Sequence, residues 1–271
     1  MKAAGILSEK KYKVILEDFF TRIWGETVLW SHDLGHHRRV WKFAKEILPY
    51  FGDKRNAGTE LSEKLIIACY LHDIGMSIDR GVRHGHHGRR ILGRFLRENN
   101  MDETDYLDVA DAIECHDQKD YDLQDSGNIV LKILSVADDL DAFGRIGICR
   151  YSEIYLLRGA DLSQIGFLIR ENAARRFENY KLLFARHPNL FNRHKNRYLI
   201  VDSFFEIYNQ KVKNYNFGNH NPAGHCGIIE IISNLIGDKK STIEFLTHQL
   251  QFSSDIFISD FINSVQSETV L

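Results

Sequence analysis

The chain has 271 residues and a formal net charge of −2, with 44% hydrophobic and 27% charged residues. That length suits one large domain or two small ones, and the composition is ordinary for a soluble globular protein. A net charge this close to zero supplies no field that would attract nucleic acid or an acidic membrane. No apolar run approaches the ~18 residues of a membrane span. We therefore expect neither nucleic acid nor a membrane as a partner.

The amino terminus and the cysteines both favour the cytoplasm. Residues 1–20 carry charges inside their apolar pattern and lack the continuous apolar core of a secretory signal. The four cysteines are scattered without a CxxC pair, at Cys69, Cys115, Cys149 and Cys226. This pattern is typical of reduced, mostly buried thiols. We expect a cytoplasmic protein.

Helical periodicity dominates, and three prolines in the whole chain suit long helices. Apolar residues at helical spacing predict five helices in the first half, over 38–48, 61–73, 86–99, 104–116 and 128–144. Further helices are predicted near 168–186, 196–213, 225–236, 240–250 and 255–265. Because alternating strand patterns are scarce, the predicted fold class is all-α.

One segment offers a domain boundary. Residues 214–227 (NYNFGNHNPAGHCG) are rich in Asn, Gly and His, and residues 253–271 contain no Lys or Arg. We predict one domain over 1–213 and a C-terminal helical extension over 214–271. The apolar faces of the extension predict a packing role or an interface, so a homo-oligomer formed through these helices is an expected assembly.

Histidines are concentrated in one part of the chain, with eight of the thirteen between His32 and His116. Six ionisable side chains lie on or directly after the apolar faces of predicted helices: His36, His72, Asp73, His116, Asp138 and Asp141. Ionisable groups at buried positions are costly unless they are paired or bind a metal. A lone histidine there is more often a satisfied core residue, whereas a set drawn from four helices favours a metal site.

The donor types in this set restrict the metal. A site that takes two imidazoles and two carboxylates from it suits Mn²⁺, Fe²⁺, Co²⁺, Ni²⁺ or Zn²⁺ better than Ca²⁺, and Mg²⁺ remains admissible. The absence of thiolates disfavours a structural zinc centre. Four protein ligands leave open positions for water and a substrate oxygen, and such a water becomes a nucleophile near neutral pH.

The order His…His-Asp…Asp resembles the HD-domain superfamily of metal-dependent phosphohydrolases, in particular its small bacterial members. The segment SHDLGHHRRVWKFAKEI is similar to the first motif, LHDIG to the HD motif and VADDLDAFGRIGICR to the last motif. The resemblance implies four metal ligands: His36 (and not His32 or His37), His72, Asp73 and Asp138.

A second metal ion is left open by the same resemblance. HGHHG is similar to a family segment at His84, and IECHD places His116 where many members carry another histidine. His84 and His116 are the candidate ligands, with His86 and His87 in reserve. The alternative is that these histidines contact substrate phosphate or cap helices, so one and two ions remain equally open.

The resemblance is specific over about residues 28 to 150 and weaker to about 212. It implies an all-helical bundle that cleaves a phosphate ester or anhydride, most often of a nucleotide, by attack of a metal-activated water. We assign catalytic roles to Asp73, His84 and Asp141. Asp141 would orient a ligand histidine or a water, and a buried salt bridge is its alternative. Two other functions stay open: a nucleotide-sensing module without turnover, and a helical di-iron-type oxygenase.

A phosphohydrolase also needs cationic groups that bind the substrate phosphate, and arginines can provide them. Arg39, Arg83 and Arg145 are the candidates to bind substrate phosphate with their planar guanidinium groups, and a solvated charged face is the alternative for each.

The loop after the HD motif departs from part of the family. Met76 stands where a nucleotidase branch carries a charged group, and Asp79 is the nearest substitute. We predict that this loop holds no dedicated carboxylate acid and that the leaving group is a good one, such as pyrophosphate or a nucleotide.

Overall fold

The structure is a computed structural model that describes residues 2–51, 58–118, 127–218, 221–236 and 255–270. Within these ranges the chain forms helices and no strand, which confirms the predicted all-α class. The α-helices are α1 (Lys2–Trp24), α2 (Leu34–Ile47), α3 (Thr59–Leu71), α4 (His84–Glu98), α5 (Leu107–Cys115), α6 (Ile129–Asp141), α7 (Gly144–Leu157), α8 (Ile165–Phe184), α9 (Pro188–Lys211), α10 (Gly224–Leu235) and α11 (Ile256–Val270). None of the helices in the described ranges is long and apolar enough to cross a membrane.

The predicted helices correspond to α2–α6 and α8–α11, and the one predicted near 240–250 lies outside the described residues. Two helices, α1 and α7, were not predicted. In α7 every residue from Ile146 to Glu153 is buried, polar ones included. A helix covered on so many sides shows no amphipathic stripe, which is the signal that periodicity detects.

The chain divides into two compact units. The first comprises Met1–Thr27 and Leu34–Leu140, and the second comprises Val28–Asp33 and Asp141–Leu271. In the first unit α3 is central, because α1, α2 and α5 all pack against it. Every residue from Leu65 to Leu71 is accordingly buried. The apolar helix at the centre thus ends directly before the His-Asp pair.

Glycines allow the backbone after α3 to lie against the first turn of α4. A Cβ atom on Gly75 would lie 1.9 Å from the carbonyl oxygen of His84 and 2.6 Å from the amide nitrogen of Gly88. On Gly85 it would lie 2.4 Å from the carbonyl oxygen of Glu114 in α5. Only glycine fits these approaches, which hold α4 tightly between its neighbours.

In the second unit α7 and α9 are central, with α8, α10 and α11 packed on them. The core of this unit includes Cys149, Val201, Phe205, Ile229 and Ile262, one or more from each of α7, α9, α10 and α11. Helices from both sides of residue 213 therefore share one core. The predicted boundary at that residue remains a prediction.

Candidate metal centre

Six ionisable side chains of the first unit converge at the ends of five helices. They are His36 in the first turn of α2, His72 and Asp73 directly after α3, His84 at the start of α4, His116 directly after α5, and Asp138 in the last turn of α6. All six are buried, none more than 5% exposed. Helix ends suit this task because a side chain there reaches beyond the helix that fixes its backbone.

The first group comprises His36, His72, Asp73 and Asp138, whose donor atoms all lie within 4.8 Å of one another. His36 Nε2 is 3.1 Å from His72 Nε2. Asp73 Oδ2 lies 3.4 Å from His36 Nε2 and 3.2 Å from His72 Nε2. Asp138 Oδ1 is 3.8 and 3.9 Å from the same two nitrogens.

The second group comprises Asp73, His84 and His116. The other carboxylate oxygen, Asp73 Oδ1, lies 3.1 Å from His116 Nε2 and 3.4 Å from His84 Nε2. The two imidazole nitrogens are 3.4 Å apart. Asp73 therefore belongs to both groups and presents one oxygen to each.

The donor separations of 3.1–3.9 Å fit a divalent ion in each group. Two ligands about 2.1 Å from one ion lie about 3.0 Å apart at a right angle and about 3.4 Å apart at a tetrahedral angle. A first group of two nitrogens and two carboxylate oxygens suits a first-row transition metal. The residues present thus fit the metal that the sequence motifs imply.

Backbone carbonyls orient three of the imidazoles. His72 Nδ1 lies 3.0 Å from the carbonyl oxygen of Cys69, His84 Nδ1 lies 2.7 Å from that of Gly81, and His116 Nδ1 lies 2.7 Å from that of Ile113. A carbonyl can only accept, so Nδ1 carries the proton in each ring and Nε2 keeps its lone pair. This is how proteins usually prepare histidine for a metal.

Burial and the contacts between the carboxylate and imidazole groups shift the pKa values in the cluster. Burial alone would raise the pKa of Asp73, but the imidazoles of His72, His116 and His36 hold it well below its ordinary value. Burial lowers the pKa of His84. Burial opposes a charge on His116 as well, yet the carboxylate of Asp73 raises the pKa of His116 above its ordinary 6.5. Asp73 is thus the anion around which the second group is organised.

The three predicted phosphate-binding arginines lie in different surroundings. Arg39 is buried one turn after His36 in α2. Arg83 is 76% exposed, and its Nε donates to Asp79 Oδ2 at 3.1 Å. Arg145 belongs to the second unit, where its Nη1 lies 3.9 Å from Glu268 Oε1. Arg39 is the one of the three that shares a helix with a candidate ligand.

The remaining predicted site residues lie outside the two ligand groups. Asp141 is fully buried and lies 3.3 Å from the guanidinium of Arg150, so the salt bridge named as its alternative is present. His86 is exposed, with Nδ1 3.1 Å from Glu114 Oε1. The Nδ1 atom of His87 is buried and has no hydrogen-bond partner within the described ranges. Neither His86 nor His87 belongs to a ligand group found among those residues.

His37, which the family resemblance excluded as a ligand, is fully buried beside His36. Neighbouring residues on a helix point about 100° apart, so both can be buried only if the helix is covered on two sides. Both are buried because α1 and α3 cover α2 on two sides. Burial and the neighbouring imidazoles of His72 and His36 hold the pKa of His37 well below its ordinary value. The doubled histidine in GHHRRV was the available signal.

Comparison with known proteins supports the sequence motifs. Residues 33–142 match the family model of the HD domain. That segment contains all six side chains of the centre. No curated protein and no solved structure matches the chain.

Proposed function

We propose that the protein is a phosphohydrolase acting on a nucleotide, because residues 33–142 match the family model of the HD domain. The HD family consists in general of metal-dependent hydrolases, and the buried His/Asp cluster is suited to a divalent metal. We further propose that the ion is manganese and that the substrate is a nucleotide.

One observation carries the proposal: the two carboxylate oxygens of Asp73 face two separate groups of buried imidazoles. We propose that His36, His72, Asp73 and Asp138 hold one ion, and that Asp73, His84 and His116 hold a second. Divalent ions in such a pair supply an acidified water and neutralise charge on the phosphoryl oxygens.

The chain's own residues prepare the reaction by fixing donors in place. The carbonyls of Cys69, Gly81 and Ile113 keep three imidazoles in the tautomer that leaves Nε2 free. Because the cluster is buried, bulk water is excluded and electrostatic interactions inside it are strengthened. Donors that are already oriented need not reorganise as charge develops on the substrate.

We further propose that Arg39, Arg83 and Arg145 bind substrate phosphate. Arg39 is supported by its burial one turn beyond His36. Arg83 can exchange its ion pair with Asp79 for a substrate phosphate at a small cost in free energy, since an exposed ion pair contributes only ~0–1 kcal/mol. We also propose that Asp141 orients a ligand histidine or a water, with its salt bridge to Arg150 as the alternative role.

The proposal also covers the cellular location and the oligomeric state of the protein. We place the protein in the cytoplasm, supported by four cysteines that are all free, three of them buried. We keep residues 214–271 as a C-terminal extension. Half-exposed Phe257 and exposed Ile256 on α11 support a role for this helix in homo-oligomer formation.

The test is phosphate release from a panel of nucleotides by the full chain with added Mn²⁺. We expect turnover of at least one nucleotide, loss with chelator, and loss in His72→Ala and Asp138→Ala. Circular dichroism should show that both variants fold. His187→Ala and Asp111→Ala, which change residues outside the cluster, are the matched controls. Nucleotide binding without turnover by the metal-loaded protein would contradict the proposal and indicate a sensing module. Oxygen consumption by the Fe²⁺-loaded protein, with no phosphate release, would indicate an oxygenase.

A further inference from the structure

His37 is a fully buried imidazole with one unused nitrogen. Its Nδ1 lies 3.0 Å from the carbonyl oxygen of Cys69. Its Nε2 is buried and has no hydrogen-bond partner among the described residues. Leaving a buried polar atom unsatisfied costs ~1–3 kcal/mol, so such an atom calls for a reason.

The bonding pattern of His37 matches that of the candidate ligands. His72, His84 and His116 also hold Nδ1 against a backbone carbonyl and leave Nε2 for a metal. His37 and His72 even share one acceptor, because both Nδ1 atoms lie 3.0 Å from the carbonyl oxygen of Cys69. His37 is therefore held in the tautomer that leaves a lone pair on Nε2.

The imidazole of His37 lies close to two imidazoles of the first ligand group. The ring centroids of His36, His37 and His72 are each 5.0 Å from the other two. One nitrogen of each ring lies within 4.8 Å of the others, which is close enough for a shared ion.

We propose that His36, His37 and His72 form a second, nitrogen-only position for the first metal, and that this position takes Cu²⁺ or Zn²⁺. Three imidazoles without a carboxylate favour these ions, whereas the mixed group with Asp73 and Asp138 suits Mn²⁺. Since both positions use His36 and His72, one ion excludes the other. Cu²⁺ or Zn²⁺ held there would displace the Mn²⁺ position of the proposed phosphohydrolase.

Packing alone does not account for His37. Its ring lies 4.6 Å from that of Phe20 and 6.5 Å from that of Trp24, an aromatic contact that a phenylalanine would also make. An apolar side chain of similar size would leave no unsatisfied nitrogen there. A nitrogen donor is what distinguishes histidine from phenylalanine at this position.

The test is electron paramagnetic resonance of the full-length, metal-free protein loaded with half an equivalent of Cu²⁺. Nitrogen hyperfine structure counts the coordinated imidazoles. We expect three nitrogens in the wild type, two in His37→Gln and His37→Phe, and three in the control His187→Gln. Two nitrogens in the wild type, or three in a folded His37 variant, would overturn the proposal. If neither variant folds, the wild-type count alone decides.

Competitive titration separates a ligand from a residue that only positions His72. Loss of a residue that merely supports a ligand lowers metal affinity about 10- to 100-fold, for every ion alike. We expect His37→Phe to lower the Cu²⁺ affinity by more than about 100-fold and to leave the Mn²⁺ affinity within about tenfold. Equal losses for both ions would contradict the proposal. These readouts need no turnover, so they stand whether or not the chain hydrolyses a nucleotide.

Discussion

Replacing Asp73 by asparagine tests the shared carboxylate directly. Asp73 Oδ2 lies 3.2 Å from His72 Nε2, and Asp73 Oδ1 lies 3.1 Å from His116 Nε2. An amide has one oxygen that can bind a metal and one NH₂ group that cannot. In Asp73→Asn, therefore, one ligand group keeps an oxygen and the other loses it, whichever way the amide is turned.

The expected result is a change in metal stoichiometry from two ions per chain to one. We expect the affinity of the lost position to fall by about 100-fold or more, which is about 2.7 kcal/mol. Calorimetric titration with Mn²⁺, and elemental analysis after gel filtration, would measure both quantities. Asp79→Asn is the matched control, since Asp79 follows the same motif but, among the residues that the structure describes, accepts hydrogen bonds only from Gly81 and Arg83. Two equivalents retained at unchanged affinity in Asp73→Asn would refute the assignment of Asp73 to both groups.

Three further predictions concern the loop, its glycine and pH. Asp79→Asn should leave kcat within a few-fold of wild type in the nucleotide assay, and loss of turnover with normal metal content would show that Asp79 is the missing acid. Gly75→Ala should lower the free energy of unfolding in urea by about 3 kcal/mol, because its Cβ would lie 1.9 Å from the carbonyl oxygen of His84. The control Gly58→Ala, whose Cβ would have nothing within 4 Å, should lower it by about 0.5 kcal/mol or less. Equal losses in the two variants would contradict the close packing at Gly75. Since Asp73 raises the pKa of His116 above 6.5, protons compete for this ligand below the raised pKa. Affinity for the second Mn²⁺ should therefore rise about tenfold per pH unit up to that pKa and then level off, whereas a flat profile by calorimetry would exclude His116 as a ligand.

The positions of the candidate ligands were predictable because each lies at a helix end with a strong local signal. His72 and Asp73 follow an apolar run that periodicity identifies, and the structure places that run in α3 at the centre of its unit. His36 and Asp138 lie on apolar stripes of α2 and α6. The order of these residues in the chain was enough to indicate a metal site.

The sharing of Asp73 was not predictable from the sequence. It depends on how the ends of α4 and α5 meet the end of α3, and that approach is set by close contacts at Gly75 and Gly85. A sequence shows that these residues are glycine, but it does not show which backbone atoms they touch. The sequence therefore left the choice between one and two ions open, and the donor distances support our proposal of two.

Contacts that depend on tertiary packing were also not predictable from the sequence. The salt bridge between Asp141 and Arg150 joins residues on α6 and α7, and α7 has no amphipathic pattern that would reveal it. His37 was set aside because the family resemblance indicated His36 as the ligand. Burial on two faces follows from tertiary packing, which no local pattern records.

The central claim is that the buried His/Asp cluster performs phosphohydrolysis with two ions. Its most direct test is phosphate release by metal-free protein as Mn²⁺ is added in steps from zero to three equivalents per chain. We predict no turnover without metal, and a rate that rises until two equivalents are bound and then stays constant. Turnover by the metal-free protein, or none from any nucleotide at two bound equivalents, would contradict the claim.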